Sequence, residues 1–261
     1  MPADLVSRGG RTYRLSTFDD GEHTRPVYRG GEGPPVILVH ELGGLDPTTL
    51  DVADRLCENG FRVVLPLLVG QAGPNIGRGA ALVNWIRICI SREIHVFLTG
   101  RTSPVATWLR ALAKVEKGAD RGVGVIGMCF SGGFALAAAV DESVLAAIAS
   151  QPALPWPTLP GTGRDLGLSP EDLACVRQRY AASSFGVRAF RYRNDKRSPH
   201  ARMETYGTEF GTTVVMEPIG TAHSLLARAS HPTNPDPAAV PALTATIELL
   251  TERLVPGAGS P

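Results

Sequence analysis

The chain has 261 residues, 43% of them hydrophobic and 20% charged, with a formal net charge of +1. That length can bury a substantial α/β core, while a near-neutral charge without a long basic run excludes nucleic acid as the main partner. No apolar run reaches the roughly 18 residues of a membrane span, and the polar start lacks the apolar stretch of a secretory signal.

Taken in chain order, a polar N-terminal segment leads into residues 11–18 (RTYRLSTF), which read as an antiparallel edge strand. Residues 34–40 (PPVILVH) form a buried strand, since the apolar content is continuous and proline stands at its outer end. Residues 46–60 (DPTTLDVADRLCENG) predict a helix with an Asp or Thr cap and a stop at Gly60. Residues 61–68 give the next strand, and residues 80–94 and 103–118 two helices joined through TGRTSP. A strand over 122–128, a helix over 132–140 and a strand over 143–152 follow, then a proline-rich stretch, PALPWPTLPGTG. The remainder reads as a helix over 169–180, a strand over 187–195, a helix over 198–211, a strand over 212–220 and a helix from Pro237 to Leu254. Strand alternating with helix predicts a mostly parallel sheet covered on both faces. A single three-layer domain is expected, with its core over about residues 30–254 between the polar start and a short C-terminal tail.

Cys57, Cys89, Cys129 and Cys175 form no CxxC or Cys/His cluster, so reduced thiols in a cytoplasmic protein are expected. Cys57, Cys89 and Cys175 lie in helical patterns and read as packing residues. Cys129 differs. Gly127-Met128-Cys129-Phe130-Ser131 stands where a buried strand turns into a helix opened by Gly132 and Gly133. Small residues two before and two after allow the sharp backbone turn that lifts a nucleophile above the carboxyl edge of a sheet. A helix amino terminus favours thiolate, and the Phe130 amide would face a developing oxyanion.

A thiol nucleophile needs a base, and the base an orienting carboxylate. In hydrolases on such sheets the chain order is nucleophile, acid, histidine. Asp195 follows the strand VRAFRYR, and His223 follows TTVVMEPIG, in that order. His200, His231, His23 and His95 lack the strand-end context, and Asp165 and Asp172 read as caps or surface residues. His40-Glu41 begins like a zinc HExxH site, but Gly44 stands in place of the second histidine, so no metal is expected. Leu42 instead offers its amide as a second oxyanion donor. The literal GxGxxG at Gly122, Gly124 and Gly127 starts before its strand and runs through it, which is the wrong placement for a dinucleotide. Glu41, a negative group beside a thiol, opposes thiolate formation. On the residues alone it is a carboxylate paired with a buried arginine or solvated at the rim.

Together VHELGG, GMCFSGGFALA, RNDKRSP and GTAHSLL resemble the dienelactone hydrolase family, over roughly residues 30 to 250. The resemblance implies the α/β-hydrolase fold, Cys129 as nucleophile, Asp195 as acid, His223 as base and Glu41 as the residue that controls the thiol. In that family the resting thiol is held neutral near the glutamate, and substrate binding redirects the carboxylate to take the proton. The family also grips a substrate carboxylate with two arginines. Here Arg228 stands one position late, with Ala227 at the matching place, and Arg87, Arg92 and Arg101 compete for the other role. The expected protein is a cofactor-free hydrolase of a small ester or lactone, monomeric or homodimeric, with no nucleic-acid or membrane partner. Cyclisation, isomerisation or acyl transfer in the same pocket, and a silent binding protein on the same scaffold, are the alternatives.

Overall fold

The computed structural model describes residues 3–73, 103–153 and 162–257. The helix expected over 80–94, with Cys89, and most of the proline-rich stretch lie outside them. Among the described residues nine strands form one sheet in the order β1-β2-β3-β6-β4-β8-β9-β10-β11. Three of them, β1 (Leu5–Val6), β2 (Thr12–Asp19) and β3 (Thr24–Gly30), make an antiparallel meander that joins β6 (Arg62–Pro66). From β6 the ladder runs parallel through β4 (Pro35–Val39), β8 (Val123–Met128), β9 (Val144–Ser150), β10 (Gly186–Phe190) and β11 (Val215–Met216). A separate two-residue pairing links β5 (Gly44–Leu45) and β7 (Gln71–Ala72).

The continuous apolar strands are buried on both sides, and the strand period of two sorts their residues. Ile37, Val39, Val64, Val123 and Val125 pack with Trp108, Leu109 and Leu112 of the helix Pro104–Lys117 and with Phe134 of the helix Gly132–Ala138. Val36, Leu38, Val63, Leu65 and Ile126 face the other way, onto Leu50 and Leu56 of the helix Pro47–Glu58 and onto Leu249 and Leu250 of the helix Val240–Leu254. The result is three layers. The glycines of the apparent GxGxxG belong to this packing. A Cβ on Gly124 would fall 2.3 Å from Leu250 Cδ2, and one on Gly186 would fall 2.4 Å from Leu249 Cδ1, so bare backbone lets the last helix approach the sheet.

The helix Pro47–Glu58 starts as its sequence dictates: Asp46 Oδ1 accepts the Thr49 amide at 2.9 Å, Pro47 fills the first turn, and Gly60 follows with φ +82°. The N-terminal reading needs correction. β1 pairs outside β2, so residues 11–18 are not an edge, and β3 adds a strand that its charged residues concealed. Arg29 of β3 and Arg62 hold the buried Glu116, with Arg29 Nε 2.8 Å from Oε1, so those charges are satisfied inside the sheet rather than in a loop. At the far edge β10 stops at Phe190 and β11 keeps two residues, shorter than expected. Beyond them the Arg193 and Asn194 amides still reach the carbonyls of Pro218 and Gly220, at 2.9 and 3.0 Å, in irregular backbone. Among the described residues no helix is long and apolar enough to cross a membrane.

Candidate active site

The turn after β8 stands at the sheet's carboxyl edge. Cys129 sits there with φ +60°, left-handed backbone that costs a side chain of order 1–3 kcal/mol and persists only where the surroundings impose it. They do. A Cβ on Gly127 would lie 2.1 Å from the Ser131 carbonyl oxygen, and one on Gly132 would lie 2.7 Å from Pro152 Cα, so neither glycine can carry a side chain. The buried Ser131 hydroxyl accepts the Met128 amide at 2.8 Å, and its oxygen lies within donating distance of the carbonyls of Met128 (2.8 Å), Val39 and His40 (3.1 Å each). The turn that carries Cys129 is thereby tied to the end of β4. Phe130 is the middle residue of the 3-10 turn Cys129–Ser131, ahead of the helix Gly132–Ala138.

Asp195 and His223 come from loops beyond β10 and β11. Asp195 Oδ2 is 2.7 Å from His223 Nδ1, and Oδ1 accepts the Arg197 amide at 2.9 Å. The two side chains are only 2% and 9% exposed. Burial pushes the Asp195 carboxyl up, but the bonds from His223 and Arg197 outweigh it and hold it below the usual range. Burial likewise opposes charge on His223, yet Asp195 and the neighbouring Cys129 carry that imidazole up to about 10. With Nδ1 committed to Asp195, Nε2 is the nitrogen left for the sulfur. It is buried and closes no hydrogen bond of ordinary geometry among the described residues. Cys129 Sγ, a His223 ring nitrogen and a Glu41 carboxylate oxygen all lie within 4.8 Å of one another.

The structure departs from expectation in what holds Glu41. Among the described residues no arginine hydrogen-bonds the half-buried carboxylate. Gln151 Nε2 donates to Oε1 at 2.8 Å and the Ser224 hydroxyl to Oε2 at 2.7 Å, while Arg197 acts on it only through its charge. Burial raises the Glu41 carboxyl, and the Ser224 bond and the nearby His223 and Arg197 only partly offset that. Gln151 is itself buried at φ +36°, and its side-chain oxygen accepts the Leu225 amide at 3.2 Å. It thus spans from the end of β9 to both the Glu41 loop and the segment just after His223. Neither Gln151 nor Ser224 was marked by sequence reasoning. Their only signal was position, Gln151 at a strand end and Ser224 next to the histidine.

His40, the other half of the apparent zinc motif, is structural. Its Nε2 accepts the Leu68 amide at 3.1 Å, which leaves the proton on Nδ1 for the Glu41 carbonyl at 2.5 Å. Burial depresses its pKa to about 4. The folded protein therefore refuses a proton that the unfolded chain takes up below about 6.5, and stability is full above that pH and lost as pH falls toward 4. We expect about 3 kcal/mol of unfolding free energy to depend on His40 over that window. Urea titrations across pH, comparing wild type with His40→Gln, should show the variant lacking this part of the acid loss. Parallel curves would refute it.

Cys129, Asp195, His223 and Glu41 thus converge. Leu42, half-buried, follows Glu41 directly in the loop. Arg228 is 54% exposed, with Nε 3.5 Å from Asp236 Oδ2, a pairing with the loop ahead of the last helix. Arg87, Arg92 and Arg101 lie outside the described residues. The rival histidines are engaged elsewhere: His200 bonds Glu217 at 2.9 Å, and the His231 ring accepts the Asn234 amide at 3.1 Å.

The model of the dienelactone hydrolase family matches residues 20–160, a span that holds Glu41 and Cys129 and ends before Asp195 and His223. No curated protein matches the chain. Among solved structures, a dienelactone hydrolase from Anabaena variabilis is 18% identical with a TM-score of 0.61, covering 94% of this chain and 99% of its own. A dienelactone hydrolase-like promiscuous phosphotriesterase from metagenomic libraries is 19% identical with a TM-score of 0.58, covering 94% and 99%. A cold-adapted esterase from an Arctic intertidal metagenomic library is 16% identical with a TM-score of 0.58, covering 94% of each chain. These likenesses establish the α/β-hydrolase fold.

Proposed function

This chain belongs to the dienelactone hydrolase family, and from that premise we propose that it cleaves a small ester or lactone through a thioester on Cys129. The reading is carried by one observation: a cysteine forced to φ +60° on a strand-to-helix turn, within 4.8 Å of an imidazole whose far nitrogen is fixed by a buried aspartate. The Cys129 sulfur attacks the carbonyl carbon, and the displaced electron pair moves onto oxygen, facing the amides of Leu42 and Phe130. The thiol proton passes to Glu41 as the sulfur attacks and from there, through His223 Nε2, to the leaving alkoxide; His223 then takes a proton from water, which attacks the thioester, and returns it to the departing sulfur. The sulfur leaves with the electron pair of the C–S bond and the acid is released. Asp195 keeps Nδ1 protonated and Nε2 turned toward the reacting atoms throughout.

Glu41 governs when the sulfur becomes reactive. Anchored by Gln151 and Ser224, it is a negative group beside the thiol. Turning it onto the thiol proton means giving up one or both anchors, about 1 kcal/mol each in net terms. A bound substrate can supply that much. Glu41→Gln removes the charge while keeping the shape, so the pH profile of iodoacetamide alkylation at Cys129 should move to lower pH. An unchanged profile would make Glu41 a purely structural residue.

The direct test is to mix the protein with an activated ester, quench with acid and map the adduct by mass spectrometry. Acyl mass on the peptide containing Cys129 is expected. Rapid turnover with the acyl group elsewhere, or none trapped at any quench time, would overturn the thioester. Because one structural neighbour is a promiscuous phosphotriesterase, an activated phosphotriester belongs beside esters and lactones in the substrate panel.

A further inference from the structure

We propose that Cys129 Sγ, His223 Nε2 and a Glu41 carboxylate oxygen form a three-ligand site for a thiophilic divalent cation, Zn²⁺ foremost, whose binding silences the nucleophile. Among the described residues, these three make the one group of histidine, cysteine and acidic side chains close enough to share an ion, their ligand atoms lying within 4.8 Å of one another. Four-coordinate zinc, with bonds of about 2.0–2.3 Å, sets its ligand atoms about 3.3–3.8 Å apart. Closing the remaining gap takes rotation of the Cys129 side chain toward the Glu41 carboxylate, which keeps its Gln151 and Ser224 anchors, with no change in the fold.

Three further features suit an ion. His223 Nε2 is a buried nitrogen without a hydrogen-bond partner among the described residues, on a side chain only 9% exposed. The surroundings supply the second layer that metal sites use to orient their ligands. Asp195 fixes the far nitrogen of His223, and Gln151 and Ser224 each occupy one lone pair of a Glu41 oxygen while leaving the others. Charge also balances, since thiolate and carboxylate together neutralise the double charge of the ion, so the buried complex carries no net charge. On binding, one proton leaves the Cys129–His223 pair for buffer, and the ion exchanges waters of its hydration shell for the sulfur, the nitrogen and the carboxylate oxygen. Sulfur and imidazole select against Mg²⁺ and Ca²⁺, which favour oxygen ligands. A fourth coordination position remains for water. The ion competes with substrate and takes no part in the proposed hydrolysis.

The test uses full-length protein stripped with EDTA and titrated with Co²⁺ under anaerobic conditions, then back-titrated with Zn²⁺. One equivalent of Co²⁺ should produce the near-ultraviolet thiolate-to-cobalt absorption, and Zn²⁺ should abolish it. The band should vanish in Cys129→Ser, and affinity should fall at least about tenfold in Glu41→Gln. It should persist in His200→Ala, which disturbs the exposed cluster of His200, Glu204 and Glu217. In wild type, where folding is not in question, Zn²⁺ should block iodoacetamide alkylation of Cys129 and Mg²⁺ should not. Absence of the thiolate band, equal Zn²⁺ affinity in Cys129→Ser, or alkylation unaffected by Zn²⁺ would each overturn the site. None of these readouts involves ester turnover, so a trapped acyl-cysteine without metal binding would sink this inference and leave the hydrolase reading standing.

Discussion

Replacing Cys129 by alanine is expected to lower turnover of an activated ester by at least about a thousandfold while leaving the protein folded. The size of the loss follows from the assignment of the reactive atom. Oxyanion donors and substrate binding survive the change, and they set the residual rate. The Asp195–His223 pair also survives, so residual activity should be general-base hydrolysis without an acyl-enzyme. Serine at the same place keeps the turn and the base, but a hydroxyl is far less acidic than a thiol, so Cys129→Ser should recover little. A stability comparison adds an independent check on the turn. At φ +60° glycine is at ease and alanine is not, so Cys129→Gly should be no less stable than Cys129→Ala, although helix and strand scales favour alanine elsewhere. Retained turnover in Cys129→Ala would remove the nucleophile. A clearly weaker glycine variant would mean that the backbone is not strained there.

The second large effect concerns a residue that touches no substrate. Gly127→Ala should destabilise the protein by about 3 kcal/mol or more and cripple activity in whatever fraction still folds. The added methyl would meet the Ser131 carbonyl oxygen at 2.1 Å, its carbon at 2.8 Å and Gly132 Cα at 3.0 Å. All three are backbone, so no side chain can swing away, and relief requires opening the turn. Opening it moves Ser131, whose hydroxyl holds the Met128 amide and the end of β4, and so moves Cys129 relative to Glu41. Gly163→Ala is the matched control. Among the described residues its Cβ would find only Pro199 Cβ at 3.7 Å, an ordinary contact, and the change should be worth within about 0.5 kcal/mol. Equal unfolding midpoints for the two variants, in urea at neutral pH, would refute the packing argument.

The parts of this molecule that were legible in its sequence obey local rules. Continuous apolar runs gave the parallel strands, Asp46 and Gly60 bounded a helix, and small residues around Cys129 marked the turn that the structure shows. The pairing of Asp195 with His223 was legible because strand ends on a parallel sheet gather at one edge, whatever their separation along the chain. What was missed depends on neighbours from far away. The charges of β3 look like loop until Arg29 meets Glu116, whose position 87 residues later no local pattern reveals. Gln151 is polar, single and without a motif, and its importance comes from Glu41 and Leu225 lying on either side of it. The fate of Glu41 was unreadable for the same reason, since its anchors belong to two other strand ends.

That glutamine has one more consequence. A carboxamide is directional, with a donor at one end and an acceptor at the other, and here the donor faces Glu41 while the acceptor faces an amide of the chain segment that carries the base. Turning it over would set oxygen against carboxylate and nitrogen against N–H, so only one orientation is tolerable. The side chain therefore works as a strut of fixed polarity between two loops. If the glutamate swings away from it as proposed, the strut loses its load at one end, and the loop that carries His223 at the other end can settle around whatever has arrived. Departure of the guard and adjustment of the base would then be two ends of a single mechanical event.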